Sequence, residues 1–119
     1  MNHFPLRRLR VTGESMVPTL FPGDGVLVLG GLGPWRASIR PGDLVALTDP
    51  RDPDRIMVKR VAAVDGGRVT VRGDNDIRST DSRHFGPVDA ATVVGRVIWR
   101  YHPEDRRGPL CRRGAGRCW

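Results

Sequence analysis

A hydroxyl becomes a useful nucleophile only beside a base, and this sequence offers one combination of residue types that meets the need. Ser15 lies in Gly13-Glu14-Ser15-Met16-Val17-Pro18-Thr19-Leu20. Gly13 permits a backbone conformation or close approach that a side chain would obstruct, while Pro18 fixes φ and withholds an amide proton. Such a segment presents one hydroxyl rigidly. Of the 20 lysines and arginines only Lys59 is a lysine, and it sits inside an apolar, strand-like run. Burial disfavours a charged ammonium and brings a lysine toward the range where it can accept a proton, which a guanidinium cannot do. Ser15 and Lys59 are thus the first pair to test. Ser79 is a further hydroxyl that could orient the amine, its plainer role being a turn cap.

The elements around these residues must position them. Arg55-Ile56-Met57-Val58-Lys59-Arg60-Val61-Ala62-Ala63-Val64 reads as a long strand whose two-residue period puts Met57, Lys59 and Val61 on one face and Ile56, Val58 and Arg60 on the other. The plainer reading of Lys59 is a stem covering Met57 and Val61 with its head in water. Asp65-Gly66-Gly67-Arg68 turns into a second strand, Val69-Thr70-Val71-Arg72. Pro22-Gly23-Asp24 and Pro41-Gly42-Asp43 each form a tight turn feeding a β-rich run. Gly30 to Trp35 reads as an irregular loop with Trp35 packed on the sheet, and Thr48 to Asp54 as a polar loop. Gly73 to Gly86 is a loop rich in small oxygen-bearing residues, fixed by an Asp81–Arg83 pair, that offers the site a second wall. Ala91 to Trp99 reads as the last core strand.

A chain of 119 residues supports one modest core. The reading divides it into a basic N-terminal arm over 1–10, a catalytic domain over 11–99 and a basic tail over 100–119. Net charge is +7, nearly all arginine, which attracts an acidic protein, a phosphate backbone or an anionic surface without choosing among them. No aromatic platform supports nucleic acid as a partner. Apolar stretches are strand-sized, so no integral membrane segment is expected, though Arg7, Arg8 and Arg10 suit peripheral attachment. Cys111 and Cys118 form a disulfide or stay free; with His84 and His102 elsewhere they supply no complete metal-ligand set, and no metal is expected.

Taken in order, Gly13-Glu14-Ser15-Met16-Val17-Pro18-Thr19-Leu20, Arg40-Pro41-Gly42-Asp43, Lys59-Arg60-Val61, and Gly73-Asp74-Asn75 through Ser79-Thr80-Asp81-Ser82-Arg83 resemble type I signal peptidases. The resemblance spans about Val11 to Gly95. It implies a mostly β, compact signal-peptidase-like catalytic domain of curved antiparallel sheets. It also implies a serine endopeptidase with Ser15 as nucleophile, Lys59 as general base, Ser79 orienting Lys59, and the Ser15 amide contributing to the oxyanion hole. Gly13 and Met16 would shape the substrate cleft, with Pro18, Asp74, Asn75, Asp81 and Arg83 as structural support. Related bacterial enzymes can carry a hydroxyl at the position matched by Gly13, so a further oxyanion donor here must be backbone, water or another side chain. Hydrolysis would pass through an acyl-enzyme, with no cofactor, on an extended substrate with small residues before the cut.

Within the family, a compact anchorless version resembles the nickel-type superoxide dismutase maturation proteases. That implies a cytoplasmic enzyme removing an N-terminal extension from a nickel-type superoxide dismutase precursor, with nickel belonging to the substrate. The alternatives are a secretory signal peptidase or peripheral membrane relative, a self-cleaving regulator of the serine–lysine class, and a non-catalytic basic adaptor binding acidic protein or nucleic acid.

Overall fold

Both Pro-Gly-Asp turns open strands, and their residues show why. The computed structural model describes residues 6–31 and 34–110. Gly23 and Gly42 take φ values of 91° and 96°, where a side chain is strained. Asp24 and Asp43 close the turns by accepting the amides of Phe21 and Arg40, each at 2.9 Å.

The strands are β1 (Leu6–Arg10), β2 (Gly25–Gly30), β3 (Leu44–Asp49), β4 (Asp52–Asp65), β5 (Arg68–Arg72), β6 (Val88–Asp89), β7 (Val93–His102) and β8 (Gly108–Pro109), with one short helix, α1 (Ser82–Phe85), before β6. They form a continuous sheet in the order β1-β2-β7-β3-β4-β5-β6, with β8 on β7. Every pairing is antiparallel, so the mostly β, antiparallel expectation holds. Register shifts interrupt the β2–β7, β3–β4, β3–β7 and β4–β5 ladders; irregularities of this kind bend strands and increase their twist.

Two cores result. One gathers Val11, Met16, Leu20, Val26, Leu44, Val58 and Leu110; the other holds Ile39, Val45, Leu47, Met57, Val61 and Val93. β3 and β4 serve both by alternation, Leu44 and Val58 facing one core, Val45 and Met57 the other. The face on which Lys59 sits is therefore apolar, as its neighbours implied, and the opposite face is apolar too. Trp35 packs against the second core.

Two segments differ from the sequence reading. The polar Thr48 to Asp54 loop contracts to a turn at Pro50 and Arg51, because Asp49 accepts the Arg51 amide at 2.8 Å and grips its guanidinium, letting β4 begin at Asp52. The last long strand begins at Val93 and runs on to His102. Residues Leu6–Arg10 pair with β2 along their length, and Leu110 is buried in the same core as Met16. Cys111 and Cys118 lie outside the described residues. Among the described residues no helix is long and apolar enough to cross a membrane.

Candidate active site

Lys59 stands opposite Val45 in the β3–β4 ladder, and only 4% of it reaches solvent. Its Nζ lies 3.1 Å from Ser79 Oγ, which lies 2.8 Å from Asp81 Oδ2. An ionised carboxylate only accepts, so the Ser79 proton goes to Asp81 and the Ser79 oxygen accepts from Lys59. One amine hydrogen is thereby fixed, and the lone pair of the neutral amine is left for another partner. Burial drives the Lys59 pKa down; Asp81 pulls it back up, Arg55 and Arg51 push it down, Asp49 raises it, and the balance is about 8.

Asp81 is fully buried and would be raised by that burial. Hydrogen bonds from the Arg83 side chain, the Gly73 amide, Ser79 and the Arg83 amide outweigh it and hold the carboxyl below the usual range. Arg83 engages it with a two-pronged fork, Nε to Oδ1 and Nη2 to Oδ2, both 3.0 Å. Asp81 also caps α1 through the Arg83 amide, with His84 closing a reciprocal capping box. The expected Asp81–Arg83 pair thus fixes an anion directly behind Ser79.

Ser15 sits in the irregular segment between β1 and β2, seated by contacts from the loop after β5. The Asn75 amide donates to Ser15 O at 2.8 Å and the Asn75 side chain to Glu14 O at 3.1 Å. The Asp74 amide approaches Met16 Sδ at 3.4 Å, and Thr19 Oγ1 donates to Asp74 Oδ2 at 2.5 Å. Asp74 also accepts from Arg60 at 2.8 Å, joining the serine segment to the residue after Lys59. The Val17–Pro18 peptide is cis. Gly13 has φ of 75° and Met16 is buried.

Two cavities adjoin here, and Ser15 and Lys59 line both. Met16 borders one and Gly13 the other. One cavity runs between residues 9–12 and residues 55–58. Among the described residues β1 pairs only with β2, and Ile56–Lys59 of β4 pair only with β3, since β5 joins from Arg60 onward. Among the described residues, two strand edges without strand partners therefore border the cleft.

Gly73 is a contributor that the residue-type reading did not single out. A Cβ there would overlap Ser79 Oγ and lie 2.6 Å from Ser15 O. Its signal was the glycine opening Gly73-Asp74-Asn75, but only the structure shows that it lets the serine segment and the Ser79 loop close on each other. Thr19 and Arg60, through Asp74, were missed in the same way.

The chain matches the family described as "Signal peptidase, peptidase S26" over residues 1–75 and 67–102. It is 33% identical over 120 residues to mitochondrial ATP-independent inner membrane protease subunit 1b of Arabidopsis thaliana, covering 82% of this chain and 71% of that protein. It is 34% identical over 119 residues to mitochondrial inner membrane protease subunit 1 of Xenopus tropicalis, covering 83% and 71%. For subunit 2 of Mus musculus the identity is 35% over 122 residues, covering 82% and 67%. These relatives overturn the assignment to nickel-type superoxide dismutase maturation and the cytoplasmic location that went with it, because they are membrane proteases. The physical reason is that the motifs shared with this family concern cleavage chemistry, which is the same at a membrane face as in solution, so strand-sized apolar runs carry no information about location.

Proposed function

Because the chain belongs to the signal peptidase family, peptidase S26, and so performs serine-protease chemistry on a precursor protein, we propose that Ser15 is its nucleophile and Lys59 its general base. The carrying observation is the buried Lys59 amine, tied to Ser79 at 3.1 Å and opening on the same cleft as Ser15. Neutral Lys59 takes the Ser15 proton as the oxygen attacks the scissile carbonyl, and the resulting ammonium protonates the departing amine. Lys59, neutral again, takes a proton from water, which releases the acyl product. The Ser15 amide is the first oxyanion donor; Gly13 has no side chain to add another.

The two unpaired edges bordering the cleft suit an extended peptide that hydrogen-bonds to β1 on one side and β4 on the other, a form of strand addition that reads backbone more than side chains. The precursor is cut at a membrane face, as in a secretory signal peptidase or peripheral membrane relative. Support comes from the relatives' names and from the exposed Arg7 and Arg8 of β1, which suit an anionic surface. The test is to restore the wild-type chain or Ser15→Ala to cells lacking it and label new protein N-termini in the membrane fraction. Defined termini on translocated or membrane proteins should appear only with wild type. Identical termini in both samples would remove Ser15 from the chemistry.

A further inference from the structure

The cleft wall beside Ser15 and Lys59 is strongly cationic. Arg51, Arg55 and Arg78 line it, with Glu14 as the carboxylate among its lining residues. Two of these arginines are already engaged. Arg51 forks onto Asp49, Nε to Oδ1 at 3.1 Å and Nη2 to Oδ2 at 3.0 Å, and Arg78 pairs with Glu14 at 3.2 Å. Arg10, which lines the adjoining cavity, donates to the Gly23 carbonyl.

Arg55 is different. It is exposed, it lines both cavities, and among the described residues no carboxylate pairs with it. It precedes Lys59 by four positions on β4, on the same face by the two-residue period, so the two residues stand about 13 Å apart along the strand. Arg51 and Arg78 each hold a carboxylate directly, which leaves Arg55, among the described residues, as the arginine of this wall without a directly bonded carboxylate. An arginine so placed feels Asp49 through space, but that carboxylate is already gripped by Arg51, so Arg55 still gains from an anion brought to the cleft. A peptide lying along the free edge of β4 passes directly beside it.

We propose that Arg55 is a specificity residue, favouring precursors that carry an aspartate or glutamate within about five residues of the scissile bond, the distance set by the strand rise between Arg55 and Lys59. This rests on the cleft being the peptide-binding site described above. A lipid phosphate offers similar chemistry, but Arg55 faces cavities shared with Ser15 and Lys59, where the peptide must lie.

The test measures binding, so that it does not depend on turnover. Ser15→Ala protein is titrated with fluorescent alanine-rich peptides that differ only by a single Glu or Gln placed at successive positions. At the favoured position the Glu peptide should bind about fivefold more tightly than its Gln twin, the upper range for an exposed ion pair. The preference should shrink toward unity near 0.5 M salt, where the screening length is about 4 Å. Adding Arg55→Gln should abolish it, and adding Arg55→Glu should reverse it in favour of a Lys peptide. Equal binding of Glu and Gln peptides at every position, or a Glu preference that survives Arg55→Glu, would overturn the proposal. So would an Arg55→Gln protein that keeps the Glu preference and loses only its affinity for phosphatidylserine vesicles. Failure of the wild-type chain to cleave any precursor would count against the proteolytic reading and leave a measured charge preference standing.

Discussion

Lys59 and Ser15 are held in place by opposite means. Lys59 is one rung of a ladder: β3 fixes its backbone, and Met57, Val58 and Val61 bury the strand on both faces. Ser15 has no ladder. Its segment is positioned by side-on contacts from residues roughly 60 positions later in the chain, Asn75 on Ser15 O and Glu14 O, and Asp74 on Met16 and Thr19. The proposed base is thus placed by local pattern and the proposed nucleophile by a borrowed partner. The loop from Gly73 to Asp81 connects the two systems, touching Ser15 at one end and Lys59 at the other.

Removing either reacting group should erase the distinction. Ser15→Ala and Lys59→Arg should each lose about 10⁴-fold or more in kcat/KM while circular dichroism reports an intact fold; the arginine retains the charge but cannot take a proton. A folded Lys59→Arg enzyme working at the wild-type rate would end the proposed dyad.

Gly73→Ala strikes the joint between the two systems. Because the new methyl group meets Ser79 and the Ser15 carbonyl together, serine and amine cannot both keep their positions, and a displacement near 1 Å costs about 100-fold in rate. Thermal melts and kcat should fall together; a Gly73→Ala protein with normal kcat would show the contact to be slack. Ser79→Ala leaves Lys59 in its strand but removes the acceptor that orients it, and should cost about 10- to 100-fold, mostly in kcat.

The pH profile sharpens the comparison from the side of the base. The Lys59 pKa is lowered to about 8 and, under the proposed mechanism, only the neutral amine accepts the Ser15 proton, so kcat/KM should rise with pH through about 8 and then level off. Arg55 lowers that pKa and Asp81 raises it. Arg55→Gln should therefore shift the rising limb to higher pH, measured with a substrate lacking acidic residues, and a shift to lower pH would contradict the assigned coupling.

The smallest effects belong to the serine side. Asn75→Ala removes the bond to Glu14 O but keeps the backbone bond to Ser15 O, and a loss of about threefold to tenfold, confined to kcat, is expected. Arg78→Gln, which breaks an exposed pair with Glu14, should change stability by less than about 1 kcal/mol in a denaturant titration.

The same contrast explains what could be read from the residues. Lys59 was legible because it is the sole lysine in an alternating apolar strand, and Ser15 because glycine and proline punctuate its segment. Both Pro-Gly-Asp turns were legible because their geometry is local. The fates of their aspartates were not: Asp24 is buried and reached by Arg106 at 2.6 Å, and Asp43 is buried beside Arg96 at 3.5 Å, partners far along the chain. Gly73 needed two neighbours to be known before its missing side chain had meaning. The polar Thr48 to Asp54 stretch looked like a loop by composition, whereas one staple at Asp49 suffices to make it a hairpin turn. The membrane setting of the relatives was illegible for a different reason, since nothing in the acid–base chemistry of the cleft depends on it.

The contacts that seat the serine segment set the order in which the enzyme can become active. Arg100 donates to Thr19 O at 2.8 Å, Arg106 grips Asp24, and Leu110 shares a core with Met16. The two hydrogen bonds join residues 81 and 82 positions apart, and contacts so distant in sequence carry loop-closure entropy that slows their formation. Asp74 and Asn75 hold the Glu14–Thr19 part of the segment, whereas Thr19 O and Asp24 also wait for Arg100 and Arg106. A partly unfolded chain therefore carries Ser15, the proposed nucleophile, without the geometry that its chemistry needs. During refolding, the sheet signal in circular dichroism should precede the return of cleavage, and a chain ending after Pro103 should recover neither full stability nor activity.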